Sequence, residues 1–371
     1  ELILLAPCLH LMPYVLKDPE VRFRKRHLDF LVNQENLRNL KLGSKINKYI
    51  RDFLDDKDFI EVETPMMNMI AGGAAAKPFQ TYHNDMKMDL YMRIAPELYL
   101  KQLIVGGLER VYELGRQFRN ETCDVTHNAE FTSLEFYMTH SDYQDLMNMV
   151  EELLSGLVFN LFKKYSLKYG KENEEDNKAI TINFEPPYKR VNIIPTLEKI
   201  MKKEIPTPYS SDETREFLDK YCEDNNIECS NPKTTARLFD KLIGHYLEVN
   251  CQNPTFLVGH PAIMSPLAKE NPDNPEITDR FELFAAGFEI SNAFSELNDP
   301  VEQLRRFQLQ TKDKNEGDDE IPDVDTDYCQ ALEYALPPTA GCGIGIDRLK
   351  MLLTNNQTIR EILAFPMMKP L

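Results

Sequence analysis

The sequence predicts an α+β fold, an antiparallel β-sheet flanked by helices. Three observations lead there. Residues 111–120 and 130–138 read as two strands joined by a polar loop, with the β-branched and aromatic content that strands favour. A second hairpin follows at 280–299, its strands turning through Ala286-Gly287. Residues 35–57 and 142–165 carry apolar side chains at helical spacing with charged residues between them.

Composition bounds the function classes. A chain of 371 residues can bury a substantial core, as one large domain or two smaller ones. No apolar run is long enough to span a bilayer, and the opening Glu1-Leu-Ile-Leu-Leu-Ala-Pro lacks the basic flank of a signal peptide. Seven cysteines without a Cys-x-x-Cys pair or clustered histidines argue against a zinc site or a disulfide framework, so a cytoplasmic, reducing location is the simplest. The net charge of −17 disfavours a broad phosphate-binding surface. Nucleic-acid binding would need a local basic patch or a module outside this chain.

In chain order, Leu2-Ile-Leu-Leu5 has strand composition with no nearby partner. Residues 21–33 form a basic run, with Arg22, Arg24, Lys25 and Arg26, which by itself reads as a solvated face. The helix at 35–57 leads into a strand, Phe59-Ile-Glu-Val-Glu63, that runs to Pro65. Gly72-Gly73 has no side chain to block a ligand, although a flexible loop would look the same. Residues 91–101 read as a strand entering a helix near Glu97, a carboxylate that the helix dipole alone would favour there.

Within the first hairpin, Phe131, Ser133, Glu135 and Tyr137 share one face, because strand side chains repeat every second residue. Two aromatics with a carboxylate suit the floor of a polar pocket. Arg119 and Glu121 share a parity and reach the same region; Arg119 offers a bidentate fork for phosphate, and Glu121 can accept from an amine or hold a cation. His127 can touch outer phosphates, and Phe131 offers a face for a base. A surface hairpin with ordinary ion pairs would use the same residue types.

Beyond it, 171–178 is a polar loop, 196–248 is mostly helical, and 254–258 is a strand. In the second hairpin, Glu282 and Glu289 would repel unless exposed or sharing a cation, and magnesium takes one or two carboxylates with phosphate oxygens and water. Asn292, Phe294 and Glu296 alternate on one face; Glu289 has the opposite parity and needs a bulge to join them. Residues 303–314 are helical, and 316–327 form an acidic loop. Gly341-Cys-Gly-Ile-Gly345 leads into a helix carrying Arg348, with neither a βαβ setting nor the Lys-Ser/Thr of a phosphate loop.

Phe118-Arg-Asn-Glu121, followed by Thr126-His-Asn-x-Glu-Phe-Thr132 and Glu135-Phe-Tyr137, resembles motif 2 of the class II aminoacyl-tRNA synthetases in the form used by lysyl-tRNA synthetases. The resemblance covers almost the whole chain. It implies the class II catalytic fold over residues 21–371, with motif 1 at about 44–65, motif 2 at about 111–138, a mainly helical insertion at about 164–250 and motif 3 at about 341–366. Residues 1–20 would be the remnant of an anticodon-binding OB-fold and its linker. The implied reaction joins L-lysine to ATP, releases pyrophosphate and passes lysine to the 3′ end of tRNA(Lys), in a homodimer built through motif 1. Arg119 and Arg348 would be catalytic. Arg119, Glu121, His127, Asn128, Phe131 and Arg348 would bind ATP, with Mg2+ on Glu282 and Glu289. Gly73, Glu97, Arg119, Glu135, Tyr137, Asn292, Phe294 and Glu296 would bind lysine. An aspartate pocket would need a buried Arg or Lys in this last set. Two other readings are a lysine-activating paralogue that modifies a protein and a catalytically silent scaffold.

Overall fold

Alternation along one strand separates the two faces of the molecule. In the strand Glu130–Thr139, Leu134 and Phe136 are fully buried in the main core, whereas Phe131, Ser133, Glu135 and Tyr137 line a cleft on the other side. The structure, a computed structural model, describes residues 2–170, 179–315 and 324–370. The polar run expected at 171–178 and positions 316–323 of the expected acidic loop lie outside the described residues.

Eight strands form the central sheet: β1 (Ile60–Glu61), β2 (Arg110–Phe118), β3 (Glu130–Thr139), β4 (Lys189–Asn192), β5 (Thr255–Val258), β6 (Arg280–Ala285), β7 (Phe288–Ser295) and β8 (Thr339–Gly345). Their spatial order is β1-β2-β3-β8-β7-β6-β5-β4. The six central strands are antiparallel, as expected, but both edges are parallel pairs, β1 on β2 and β4 on β5. The hairpin signals mark only tight reversals; the parallel pairs are joined by long crossovers that leave no short-range trace. The strand expected at 59–63 is confined to Ile60–Glu61.

Helices α1 (Pro19–Arg24) and α2 (Arg26–Val32) precede α3 (Gln34–Asp55), whose Ile46, Ile50 and Leu54 recur every fourth residue and are fully buried. Helix α4 (Glu97–Val105) walls the cleft, and α5 (Tyr143–Phe162) packs on the core face with α3. A capping box starts α5: Asp142 accepts from the amides of Gln144 and Asp145, and Asp145 accepts from the amide of Asp142. The insertion holds α6 (Ile193–Met201), α7 (Asp212–Asp224) and α8 (Thr235–Tyr246) around their own core of Leu197, Leu218, Leu238 and Phe239. Its first part is not helical, because Ser166–Tyr169 pairs with Ile180–Asn183. Then come α9 (Pro300–Asn315), α10 (Thr326–Leu332), α11 (Ile346–Leu353) and α12 (Ile359–Ile362). The end of the expected acidic loop starts α10 instead, with Asp325 accepting from the Tyr328 amide. No helix among the described residues is long and apolar enough to cross a membrane.

Two N-terminal expectations change. Residues 2–5 form no strand and are exposed; no described strand pairs with them, and an isolated strand gains no ladder hydrogen bonds. The basic run is not a solvated face. Arg26 is 1% exposed and pairs with the buried Asp29, and its guanidinium also donates to the carbonyls of Glu361 (2.7 Å) and Leu363 (3.0 Å). Asp29 accepts further from Arg22 (2.9 Å), Asn33 (2.7 Å) and Asn36 (3.0 Å). Asp29 is a local partner, but the carbonyls that complete the burial of Arg26 lie in the C-terminal segment, which local charge spacing does not reveal. Replacing Arg26 by Ala leaves this buried acceptor cluster short of donors. The expected result is a loss of about 3 kcal/mol in a urea denaturation curve, with the midpoint lowered.

Candidate active site

Three adjacent strands make the floor of a cleft of about 760 Å³. Register sets two rows across them: Tyr137, Gly341 and Phe294 in one, Glu135, Gly343 and Asn292 in the next. The Gly-x-Gly-x-Gly run is therefore the middle strand of the floor. A Cβ at Gly341 would overlap the Glu296 carboxylate and the Tyr137 ring, so only glycine leaves both side chains in place. Gly73 closes over the same end with φ +84°, where a Cβ would come within 3.0 Å of the Glu97 Cβ and 3.2 Å of the Ala95 Cβ.

One end of the cleft is acidic. Glu97, Glu135 and Tyr137 line it, and the Tyr137 hydroxyl donates to Glu135 at 3.0 Å. Glu97 does not cap its helix. Its carboxylate turns to Lys101, one turn on, at 2.6 Å. Glu296 is 1% exposed, its carboxylate packed over Gly341 beside the Tyr137 ring, and Lys101 pairs with it as well. Burial, and then the neighbouring Glu97 carboxylate, push Glu135 up to about 8.

The other end is cationic. Arg119 continues the hairpin just beyond β2, its amide donating to the Ala129 carbonyl at 2.9 Å, and its guanidinium sits 5.1 Å from the centre of the Phe131 ring. Burial lowers its pKa, against the pull of Glu121, Glu289 and Glu135, and its Nε is buried without a partner. Arg348, in the first turn of α11, donates to Glu289 at 2.9 Å and to His127 Nε2 at 2.8 Å. A guanidinium only donates, so Nε2 accepts and Nδ1 carries the proton to Asp124 at 2.9 Å. Partial burial works to raise the Asp124 pKa, but the amides of Thr126 and His127 and the imidazole outweigh it and hold the carboxyl at about 2. Asn128 donates to the Glu130 carbonyl at 2.7 Å, and Glu121 is exposed at the cleft mouth.

Except for Glu282 and Glu296, every residue expected at the site lines this one cleft. The bulge that Glu289 requires lies between Leu283 and Phe284. Glu282 is paired with Arg280 (2.6 Å), with the buried His260 3.3 Å away; burial would raise the Glu282 pKa, and these two neighbours hold it down at about 2, while burial lowers that of His260 itself. The repulsion expected between Glu282 and Glu289 is thus relieved by separate cationic partners. Among the described residues, no three His, Cys, Asp or Glu side chains are grouped to hold a metal ion. Negative charge nevertheless collects nearby: burial, then Glu282, Asp240 and Glu289, push Glu248 up to about 8.

Sequence reasoning passed over several groups. Gln117 lines the cleft, buried with neither side-chain polar atom bonded; it shares the parity of Arg119 and Glu121, which was the available signal. Arg280 donates to Ser265 Oγ (2.8 Å) and Asn292 Oδ1 (3.1 Å), tying the Ser265-Pro-Leu-Ala268 loop to the floor. Asp347 accepts from the Thr132 amide at 2.8 Å and fixes α11 to β3. Lys101 stands four residues after Glu97, and only its tertiary partners distinguish it from a surface lysine.

A sheet of this topology, with an arginine from the hairpin and another from the following helix facing buried carboxylates, defines a class II synthetase site. Residues 18–369 match the family described as tRNA synthetases class II (D, K and N), and the chain belongs to that family. Within it the chain is similar to lysine–tRNA ligases. It is 50% identical over 374 residues to the lysine–tRNA ligase cla4 of Cladosporium cladosporioides, covering 100% of this chain and 62% of that protein. It is 51% identical to a probable cytoplasmic lysine–tRNA ligase of Encephalitozoon cuniculi, covering 100% of this chain and 74% of that protein. A lysine–tRNA ligase of Tolumonas auensis is 46% identical over 96% of this chain and 68% of its own length. The chain thus spans between 62% and 74% of these relatives.

The raised Glu135 pKa has a consequence for stability. Its ordinary value is 4.5 and its folded value about 8, so between these the folded chain holds a proton that the unfolded chain has lost. Stability without ligands therefore falls as pH rises through this window. Glu135→Gln should flatten that decline, read as thermal midpoint against pH.

Proposed function

We propose that this chain activates L-lysine with ATP, forming lysyl-adenylate and pyrophosphate, and transfers lysine to the 3′ end of tRNA(Lys). The observation that carries the reading is the polarity of one cleft, with buried carboxylates at one end and Arg119 and Arg348 at the other. Residues 21–371 form the catalytic domain, and the similarity to lysine–tRNA ligases supports the choice of amino acid.

The lysine carboxylate attacks the α-phosphorus, and the bond to the pyrophosphate oxygen breaks. No protein nucleophile is needed; alignment and charge stabilisation lower the barrier. Arg119 spans the α-phosphate and the substrate carboxylate, stiffened by its stacking on Phe131. The adenine lies between Phe131 and Glu121, beside Asn128. Arg348, held by Glu289 and His127, grips the phosphate tail. Glu97, Glu135 and Glu296 receive the ammonium groups, while Gly73, Tyr137, Asn292 and Phe294 shape the pocket. A neutral side chain would leave those carboxylates unpaired in a buried site, which disfavours it.

The residues fit magnesium. Glu282 and Glu289 are hard oxygen donors, and the carboxylate repulsion that adds to burial in raising Glu248 is what a divalent cation would relieve. When bound with ATP, Mg2+ supplies charge neutralisation of the phosphates. Motif 1, at about 44–65, would join two copies as a homodimer, and the cytoplasmic naming of the Encephalitozoon relative supports a cytoplasmic location.

Amino-acid-dependent exchange of pyrophosphate into ATP tests the reading, with lysine, arginine, aspartate and asparagine in parallel. Exchange is expected with lysine alone and lost on chelating magnesium. Arg119→Ala should reduce it about 100-fold or more. Glu135→Ala should raise the lysine KM with a smaller effect on ATP. Exchange with aspartate instead, or with none of the four from a folded chain that binds ATP, sinks the proposal.

A further inference from the structure

Lys101 is the one group at the acidic end whose presence the reaction does not by itself require. It projects from α4 and is 0% exposed. Its ammonium contacts Glu97 at 2.6 Å and pairs with Glu296, which comes from the strand end across the floor. Two rings complete its surroundings, Phe294 at 5.4 Å and Tyr328 of α10 at 5.8 Å from the ammonium. A lysine is among the costliest residues to bury, and an unpaired one would shed its proton. Here burial opposes the charge, but Glu296, Glu97 and Tyr328 outweigh it and the Lys101 pKa is raised.

Charge counting gives this pairing a function. Without ligand, burial pushes Glu135 up to about 8 and Glu296 well above the ordinary carboxyl range, but with an ammonium substrate in place Glu97, Glu135 and Glu296 can offer three negative charges at one buried end; Glu135 and Tyr137 face it from β3, and Arg119 stands beyond Glu135 toward the phosphate end. Lys101 cancels one of the three. The remaining two match the two ammonium groups of free lysine, whose carboxylate is met by Arg119. The Glu296 oxygens, although beside Lys101, have no hydrogen bond of good geometry, which leaves them able to accept from a ligand ammonium. Without Lys101, three buried carboxylates would face two ammonium groups, and one would take up a proton.

We propose that Lys101 is a positioning residue for amino-acid selection, an internal ammonium that holds Glu97 and Glu296 in place and offsets one carboxylate so that the pocket's charge matches a diammonium substrate. The inference rests on the lysine reading above.

The test is lysine-dependent pyrophosphate exchange across pH with wild type, K101M and K101R. In K101M the lysine kcat/KM should drop about ten-fold near neutral pH while the ATP KM stays near wild type. Its pH dependence should move upward by about one unit, because the newly protonated carboxyl must ionise before it can accept an ammonium. K101R, which keeps the charge, should keep the wild-type pH midpoint even if its rate is lower. An unshifted midpoint in K101M, or equal losses toward lysine and ATP, assigns Lys101 a purely structural role and overturns the inference. If K101M does not fold, K101M/E97Q removes one charge of each sign, and its midpoint should stay at the wild-type value; a shift there overturns the charge-matching argument. A folded wild type without lysine-dependent exchange overturns this inference together with the reading beneath it, whereas a lysine-active wild type with an unshifted K101M overturns this inference alone.

Discussion

The ladder that joins β3, β8 and β7 is the constraint on which the rest of the molecule depends. β8 carries glycines where its neighbours carry Tyr137, Glu135, Asn292 and Phe294, so the middle of the floor is open and its flanks are furnished. Pleat alternation does the remainder: the residues between these point to the other face and build the core, with Leu134, Phe136, Ala293 and Ile344 all buried there against α5 and α11. One set of backbone hydrogen bonds therefore places the site and the core in a single step. A one-residue slip in register would exchange them.

The cleft built on this floor is electrically polarised, and each pole is held by a chain of charged partners that runs beyond the cleft lining. At the cationic end, Arg348 is fixed between Glu289 and His127, and His127 by Asp124. At the acidic end, Lys101 spans Glu97 and Glu296, and Tyr137 donates to Glu135. Buried charges of this kind add little net stability, but they set geometry firmly, since an alternative arrangement would strand a charge away from water. Such preorganisation is what the proposed phosphoryl chemistry, driven by alignment, would need.

The same logic reaches the chain termini. Arg26 and Arg22 gather Asp29 with Glu361 and the carbonyls around α12, and the amide of Ile359 in α12 donates to the Val125 carbonyl at 2.8 Å. Val125 belongs to the loop that presents His127. The N-terminal helices are thereby connected, through the C-terminal segment, to the loop that carries His127 at the cationic end of the cleft.

Much of this was legible in the sequence because it is local. The parity of Phe131, Ser133, Glu135 and Tyr137 gave their shared face, and the opposed parity of Glu289 called for the bulge that is present at Leu283 and Phe284. Spacing in α3 marked Ile46, Ile50 and Leu54, and the motif resemblance named the family. What the sequence by itself determined were elements, faces and motif chemistry, since these depend on periodicity within about ten residues. The tertiary structure alone decided that Glu282 turns to Arg280 and His260, that Arg26 is buried, that the sheet edges run parallel and that Lys101 pairs with Glu296 as well as Glu97. Each of these depends on a partner or a crossover distant in the chain, or on a direction of the side chain out of its own strand, and a buried charge is identified by the group that neutralises it, which no local pattern records.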